Sequence, residues 1–320
     1  MKRILPPELL PITLWDSENK LLNLPPELAQ VYMTLIDRHN LRELANLRAK
    51  SDSPVGGFTQ EETNKHFAQA FAGSVARTQL AFLDPKDDLA ETSNAFISIL
   101  AGNKLSLTDS PCGAGAAAFS LLANIAELRR QSVLPRMPLD IFLIGAEISE
   151  PARNYAQEIL GELRPSLEAQ AIFVDAEFME WDVTCSLSNT DLIQCITKKS
   201  MGYEKRLLLI ANFNGFLERE GKRKEAEKQI EELFRHISST KNSLAIWIEP
   251  QMNSATKGLF PWLVKKIKES WNRFVKINVG DSLCLTSLSS ETEFRLPLKL
   301  DASSDVRLAI IPIDLIRTKK

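Results

Sequence analysis

Cysteine is scarce. Cys112, Cys185, Cys195 and Cys284 are the only four in 320 residues, too few and too widely spaced for a disulfide scaffold or a C-x-x-C metal or redox motif, so free thiols and no metal are expected. Histidine is scarcer still: His39, His66 and His236 are scattered, which assigns them to surface or helix faces rather than to catalysis. No stretch approaches the roughly 20 apolar residues that span a bilayer. Pro6, Pro7 and Glu8 interrupt the apolar residues after Lys2-Arg3, so neither a membrane segment nor an export signal is read, and a cytoplasmic location is expected. Charge of one sign is also missing: 39 Lys and Arg against 41 Asp and Glu give −2, which leaves only a local basic patch to attract nucleic acid. What remains, 44% hydrophobic and 25% charged, is the composition of a folded globular chain long enough to bury a full core.

The first hundred residues have few β-branched runs and read as helices. Pro25-Pro26 sets a helix start, with Leu28, Val31, Tyr32, Leu35 and Ile36 at helical spacing and Leu41, Leu44 and Leu47 extending the stripe. Ser51 to Gly57 breaks it. Thr59 and Glu62 form a capping-box pattern ahead of Phe67, Phe71, Val75, Thr78 and Phe82, and Asp84-Pro85 stops that helix. A third helix is expected over Asp88 to Leu100, ended by Gly102. From Lys104 short apolar runs alternate with amphipathic helices, the pattern of βαβ units and a parallel sheet. The expected organisation is therefore a helical accessory region over 1–102 and an α/β domain over 103–320. Expected strands are Leu105 to Asp109, Asp140 to Ala146, Ala171 to Val174, Leu207 to Ala211 and Leu244 to Ile248. After a last helix ending near Trp271, Phe274 to Val279 and Val306 to Ile311 suggest a closing antiparallel hairpin.

The segment Leu105-Ser106-Leu107-Thr108-Asp109-Ser110-Pro111-Cys112-Gly113-Ala114-Gly115 carries the most chemistry. A strand ends there on an acid and a glycine turn, and a small-residue helix start, Ala116-Ala117-Ala118, follows. Glycines let the backbone approach a ligand closely, and the helix N-terminus behind them offers unpaired N–H groups. The next strand ends in Ile144-Gly145-Ala146-Glu147-Ile148-Ser149, where a carboxylate can accept both ribose hydroxyls of an adenosine. A third acid, Asp182 in Glu180-Trp181-Asp182-Val183-Thr184, stands where it can accept from an adenine amino group, with Trp181 or Val183 against the base.

Together these segments resemble the class I S-adenosylmethionine-dependent methyltransferase family over Lys104 to about Ile311. Asp109, Gly113 and Gly115 match its motif D-x-G-x-G-x-G, and Glu147 and Asp182 match the ribose and adenine acids. Asn212-Phe213-Asn214-Gly215 takes the position after the fourth strand, near the transferred methyl. The resemblance implies a doubly wound, mostly parallel, seven-stranded Rossmann-like sheet beside the N-terminal helices. It also implies S-adenosylmethionine as cofactor, held by Asp109, Ser110, Cys112, Gly113, Gly115, Glu147, Ile148, Asp182, Val183, Asn212 and Phe213. Asn212 and Asn214 either orient an acceptor through their amides or cap the turn. Pro111 departs from the pattern by replacing the first loop glycine with a residue that fixes φ and removes a donor.

Charge separates this ligand from a nucleotide, because a net cationic sulfonium ligand is attracted to Asp109 whereas a pyrophosphate is repelled. Gly113-Ala114-Gly115-Ala116-Ala117-Ala118 also satisfies the dinucleotide pattern G-x-G-x-x-A, so an NAD(P)- or flavin-dependent oxidoreductase is a rival reading; against it, Glu147 comes later than the usual spacing of about 20 residues. Asp109-Ser110-Pro111-Cys112 and Val183-Thr184-Cys185-Ser186 resemble motifs of RNA cytosine-5 methyltransferases, which use a thiolate nucleophile. Those motifs belong to later strands of that family and need an upstream cofactor loop that residues 1–102 do not show. A cofactor-binding scaffold or sensor that transfers nothing is a further alternative. RNA, a protein side chain or a small molecule all remain open as acceptor, and a protein partner is compatible. Arg38, Arg42, Arg48 and Lys50 are the RNA-contact candidates, Glu249-Pro250 is a candidate acceptor-pocket wall, and the mixed run Lys222 to Lys228 reads as a solvated helix face.

Overall fold

The computed structural model describes residues 2–47, 56–101, 103–238, 242–251 and 288–314. The chain opens with a 3-10 turn, Pro7–Leu9, and two short strands, β1 (Trp15–Asp16) and β2 (Leu21–Leu22). Four helices follow: α1 (Pro26–Arg38), α2 (Arg42–Asn46), α3 (Gln60–Leu83) and α4 (Ala90–Leu100). The α/β part runs β3 (Lys104–Asp109), α5 (Ala116–Arg130), β4 (Leu139–Ala146), α6 (Glu150–Glu168), β5 (Ile172–Met179) and α7 (Ser186–Lys199). It continues through β6 (Lys205–Ala211), α8 (Asn214–Arg219), α9 (Arg223–Ser238) and β7 (Ser243–Pro250), then closes with β8 (Leu288–Leu296) and β9 (Lys299–Asp314).

Local sequence accounts for several boundaries. The stripe of Leu28 to Leu47 breaks at Asn40, whose φ of 56° ends α1, so α2 is a separate turn rather than a continuation. Thr59 and Glu62 make the reciprocal capping box at the start of α3. Asp84, in the left-handed region, ends that helix. Strand β3 is buried on both faces beyond its first residue, as a central parallel strand requires.

The sheet has nine strands in the order β1-β2-β8-β9-β7-β6-β3-β4-β5. The pairs β3–β4, β4–β5, β3–β6 and β6–β7 are parallel, whereas β9 is antiparallel to both β7 and β8. This corrects the expected seven strands: β1 and β2 extend the sheet because Leu21 and Leu22 pair in parallel with Glu293 and Phe294 of β8. Two-residue strands are too short to leave an alternating pattern in sequence. The closing hairpin is also reassigned, because β9 pairs with Leu288–Leu296. Phe274 to Val279, Gly102, Arg48, Lys50, Cys284 and the helix expected to end near Trp271 lie outside the described residues.

Strand order reverses between β3 and β6. Open α/β sheets bind ligands at such a switch point, beyond the carboxyl ends of the strands. Helices cover both faces. One face packs α5 and α6 together with α1, α3 and α4, in an apolar core that runs without a break from Leu5 to Ile310. The other packs α7, α8 and α9 through Trp181, Leu192, Ile196, Leu217, Leu233 and Trp247. Helix α3 is buried on nearly every side over its second half, as fits a helix laid beside α5 in the interior. Tyr32, Phe67, Phe71 and Tyr155 tie α1, α3 and α6 together: Phe67 and Tyr155 stack at 4.3 Å, and the Tyr32 hydroxyl donates to the Ala68 carbonyl at 2.7 Å. Ring pairs of this kind contribute about 0.5–1.5 kcal/mol beyond their burial. The residues before and after position 103 thus share one core. Among the described residues, no helix is long and apolar enough to cross a membrane, and no group of three metal-ligating side chains occurs.

Candidate functional site

At the switch point a cavity of about 350 Å³ opens beyond the strand ends. It collects Asp109 after β3, Glu147 after β4, Asp182 after β5 and Asn212 after β6. Pro111, Cys112, Gly113, Ile148, Trp181, Val183 and Phe213 line it as well. Ser110, Gly115 and Asn214, expected to touch a ligand, are not among the lining residues.

Asp109 is 1% exposed. One carboxylate oxygen accepts from the Ala118 backbone N–H at 3.2 Å, satisfying a donor in the first turn of α5, while the other is buried with no partner. Burial, assisted by the neighbouring Glu147 charge, pushes its pKa up to about 7 against the pull of the Ala118 hydrogen bond. A buried carboxyl in this condition is satisfied by a proton or by a cation. Glu147 accepts from the Gly113 N–H at 3.0 Å through one oxygen and from the Ser149 N–H at 2.9 Å through the other. Burial raises its pKa and these amides oppose the rise. Asp182 is fixed by Thr184, whose N–H and hydroxyl both donate to Oδ1 at 2.8 and 2.7 Å.

The two loop glycines have different duties. Both have positive φ, 52° at Gly113 and 79° at Gly115. A Cβ on Gly113 would meet nothing within 4 Å, so a ligand can approach that backbone; a Cβ on Gly115 would lie 2.2 Å from the Phe119 ring, so Gly115 serves the packing of α5.

The thiols do not resemble nucleophiles. Cys112 is 7% exposed, and burial with the Asp109 and Glu147 charges pushes its pKa well above the ordinary thiol range, which disfavours the thiolate that covalent attack needs. Cys185 does not line the cavity and caps α7 in sequence only.

Around Asn212 the geometry refines the expectations. Asn212 has φ 56°, and its side-chain oxygen accepts from Arg77 Nε at 2.8 Å. Asn214 is not among the lining residues: its N–H donates to Glu249 at 2.8 Å and its side-chain oxygen accepts from Arg223 at 3.4 Å, bonds that hold the turn. Glu249 does not line the cavity either. The same Glu249 oxygen receives the Phe213 N–H at 2.9 Å and the Trp247 indole N–H at 2.5 Å, and burial pushes its pKa to about 7.

The opposite wall comes from α3 and the segment around α8. His66, Phe67, Phe71 and Ser74 line it from α3, joined by Phe58 and Glu62; Phe216, Arg219, Glu220 and Lys222 complete it. His66 therefore belongs to the cavity rather than to a surface face, and Lys222 sits over the Phe216 ring at 5.9 Å rather than on a solvated helix face. Sequence reasoning missed His66 because a lone histidine on an amphipathic helix carries no local signal of what that helix covers. Of the RNA-contact candidates, Arg38 is ion-paired with Glu158 and Glu162, and Arg42 with Asp37. Both are thus largely neutralised.

A mostly parallel sheet with a carboxylate-lined crevice at its switch point defines a Rossmann-like binding fold. No family model and no curated protein matches the sequence. Among solved structures, a Listeria monocytogenes protein provisionally described as a class I S-adenosylmethionine-dependent methyltransferase aligns over 90% of this chain and 87% of its own, at 10% identity and a TM-score of 0.35. A Methanococcus maripaludis protein, provisionally described as an S-adenosyl-L-methionine-dependent methyltransferase, aligns over 85% of this chain and 99% of its own, at 10% identity and a TM-score of 0.32.

Proposed function

We propose that the chain is an S-adenosylmethionine-dependent methyltransferase whose cofactor lies against the carboxylate wall and whose acceptor enters between Asn212 and α3. The observation that carries this reading is the gathering of Asp109, Glu147 and Asp182 on one cavity beside an open glycine. Three carboxylates in one crevice repel a pyrophosphate and attract a net cationic ligand, which disfavours a dinucleotide despite the G-x-G-x-x-A match. The unpartnered oxygen of Asp109 fits a positively charged ligand in the same way.

Glu147 would accept from the ribose hydroxyls and Asp182 from the adenine amino group, with Ile148, Trp181 and Val183 flanking the base. Asp109 would favour the cationic end, and the backbone at Gly113 would allow close approach. When bound, the cofactor supplies a methyl group on a sulfonium. The protein's part is to hold the acceptor in line with that methyl and exclude water, which needs positioning more than a dedicated triad. Asn212 and Phe213, fixed from behind by Arg77 and Glu249, would do this on the acceptor side.

Calorimetry with S-adenosylmethionine and its demethylated product tests binding, and labelled-methyl transfer into extracts of cells lacking the protein tests catalysis. Binding to neither ligand would remove the reading. Binding without incorporation into RNA, protein or metabolite fractions would favour a sensor instead.

A further inference from the structure

Resting on the methyltransferase reading, we propose that His66 accepts the proton of the methylated group, and that the acceptor is a hydrogen-bearing heteroatom of an amide or a hydroxyl. The inference turns on which groups on the acceptor side have a lone pair to offer. His66 lies on α3, lines the same cavity as Asn212 and Phe213, and makes no hydrogen bond or ion pair among the described residues. Asn212 has given its carbonyl oxygen to Arg77 and keeps an amide donor for the cavity. Glu62 commits Oε2 to the capping box, accepting from the N–H groups of Phe58 and Thr59 at 3.1 Å each, and is itself exposed. Arg219 and Lys222 are donors only, and Glu220 lies exposed at the rim. Asp109, Glu147 and Asp182 belong to the wall assigned to the cofactor. Glu249 stands behind Phe213 with three donors on one oxygen.

The charges facing His66 keep it neutral. Burial, then Arg77 on its own helix and Arg219 from α8, push its pKa down to about 4, so its lone pair is free at neutral pH. A base this weak suits only certain acceptors. When an amide or hydroxyl heteroatom forms its bond to the methyl carbon, and the carbon–sulfur bond breaks with its pair going to sulfur, the attacked heteroatom becomes strongly acidic. Its proton then passes to the His66 ring nitrogen and on to water. An alkylammonium product holds its proton more tightly than His66 can and needs no such base, so a lysine acceptor would leave His66 without this role.

Two measurements test this. Histidine-labelled NMR, with His66 assigned by His66→Gln, should show a neutral ring throughout pH 5.5–8; a ring protonating between pH 6 and 7 would overturn the proposal without any turnover being measured. In labelled-methyl transfer to extract from cells lacking the protein, His66→Gln and His66→Ala should lose about 100-fold in rate. Their S-adenosylmethionine affinity by calorimetry and their melting temperatures should hold. Added imidazole should partly restore His66→Ala, which a packing role would not allow. Unchanged transfer in both variants, no response to imidazole, or methyl-lysine as the labelled product would each overturn it. If wild type binds cofactor but labels nothing, the base assignment falls while the binding site stands; if it binds no cofactor, both fall.

Discussion

The two walls of the cavity are built by opposite strategies. The carboxylate wall is assembled from strand ends, each acid lying within a few residues of the strand that positions it and held by backbone amides of the adjoining loops and helix start: Asp109 by Ala118, Glu147 by Ser149 and by Gly113 of the loop after β3, Asp182 by Thr184. The α3 wall is assembled across distance. His66, Phe67 and Phe71 reach the cavity only because α3 packs beside α5, and Arg77 joins Asn212 from 135 positions away. The carboxylate wall is thus written largely in local sequence, whereas the α3 wall depends on tertiary packing.

The sharpest way to break this comparison is at the glycines that serve the first wall. Gly115→Ala is expected to cost about 2–4 kcal/mol, since it combines overpacking against Phe119 with a strained positive φ. Gly113→Ala, with open space around it, is expected to cost about 1 kcal/mol and to act mainly on cofactor affinity. Urea denaturation of the two variants decides it, and equal losses would remove the distinction between a packing glycine and a ligand-facing one. Next, Glu147→Ala should weaken S-adenosylmethionine by about 1–3 kcal/mol through loss of charge-assisted hydrogen bonds, read by calorimetry. Unchanged affinity would refute the ribose assignment.

Smaller effects separate the acid wall from its thiol. Cys112→Ala should leave methyl transfer within about twofold, because a thiol whose ionisation is opposed by burial and two carboxylates supplies no nucleophile, and Cys185→Ala should do the same because Cys185 does not line the cavity. Complete loss of transfer in a well-folded variant would restore the covalent cytosine-5 reading.

The contrast between the walls also explains what the sequence disclosed. Strands β3, β4, β6 and β7 and the acids at positions 109 and 147 are legible because a strand's apolar run and its terminal acid sit side by side in the chain. The capping box of α3 is legible for the same reason. Illegible features are those settled by packing: β1 and β2, made by pairing with β8 across some 270 residues, and the inward place of His66. Asn214 shows the intermediate case, since its position after β6 was readable but its turn-holding bonds to Glu249 and Arg223 were not.

The most direct test of the central claim is a titration of the wild-type protein with S-adenosylmethionine near pH 6.5, repeated in buffers of different ionisation enthalpy. Burial holds the Asp109 pKa up at about 7, so part of it carries a proton there, and a cationic ligand favours its ionised form. Saturable one-to-one binding that releases protons to the buffer, and tightens as pH rises to 8, is the predicted result. No binding, or binding without proton release, would contradict the account.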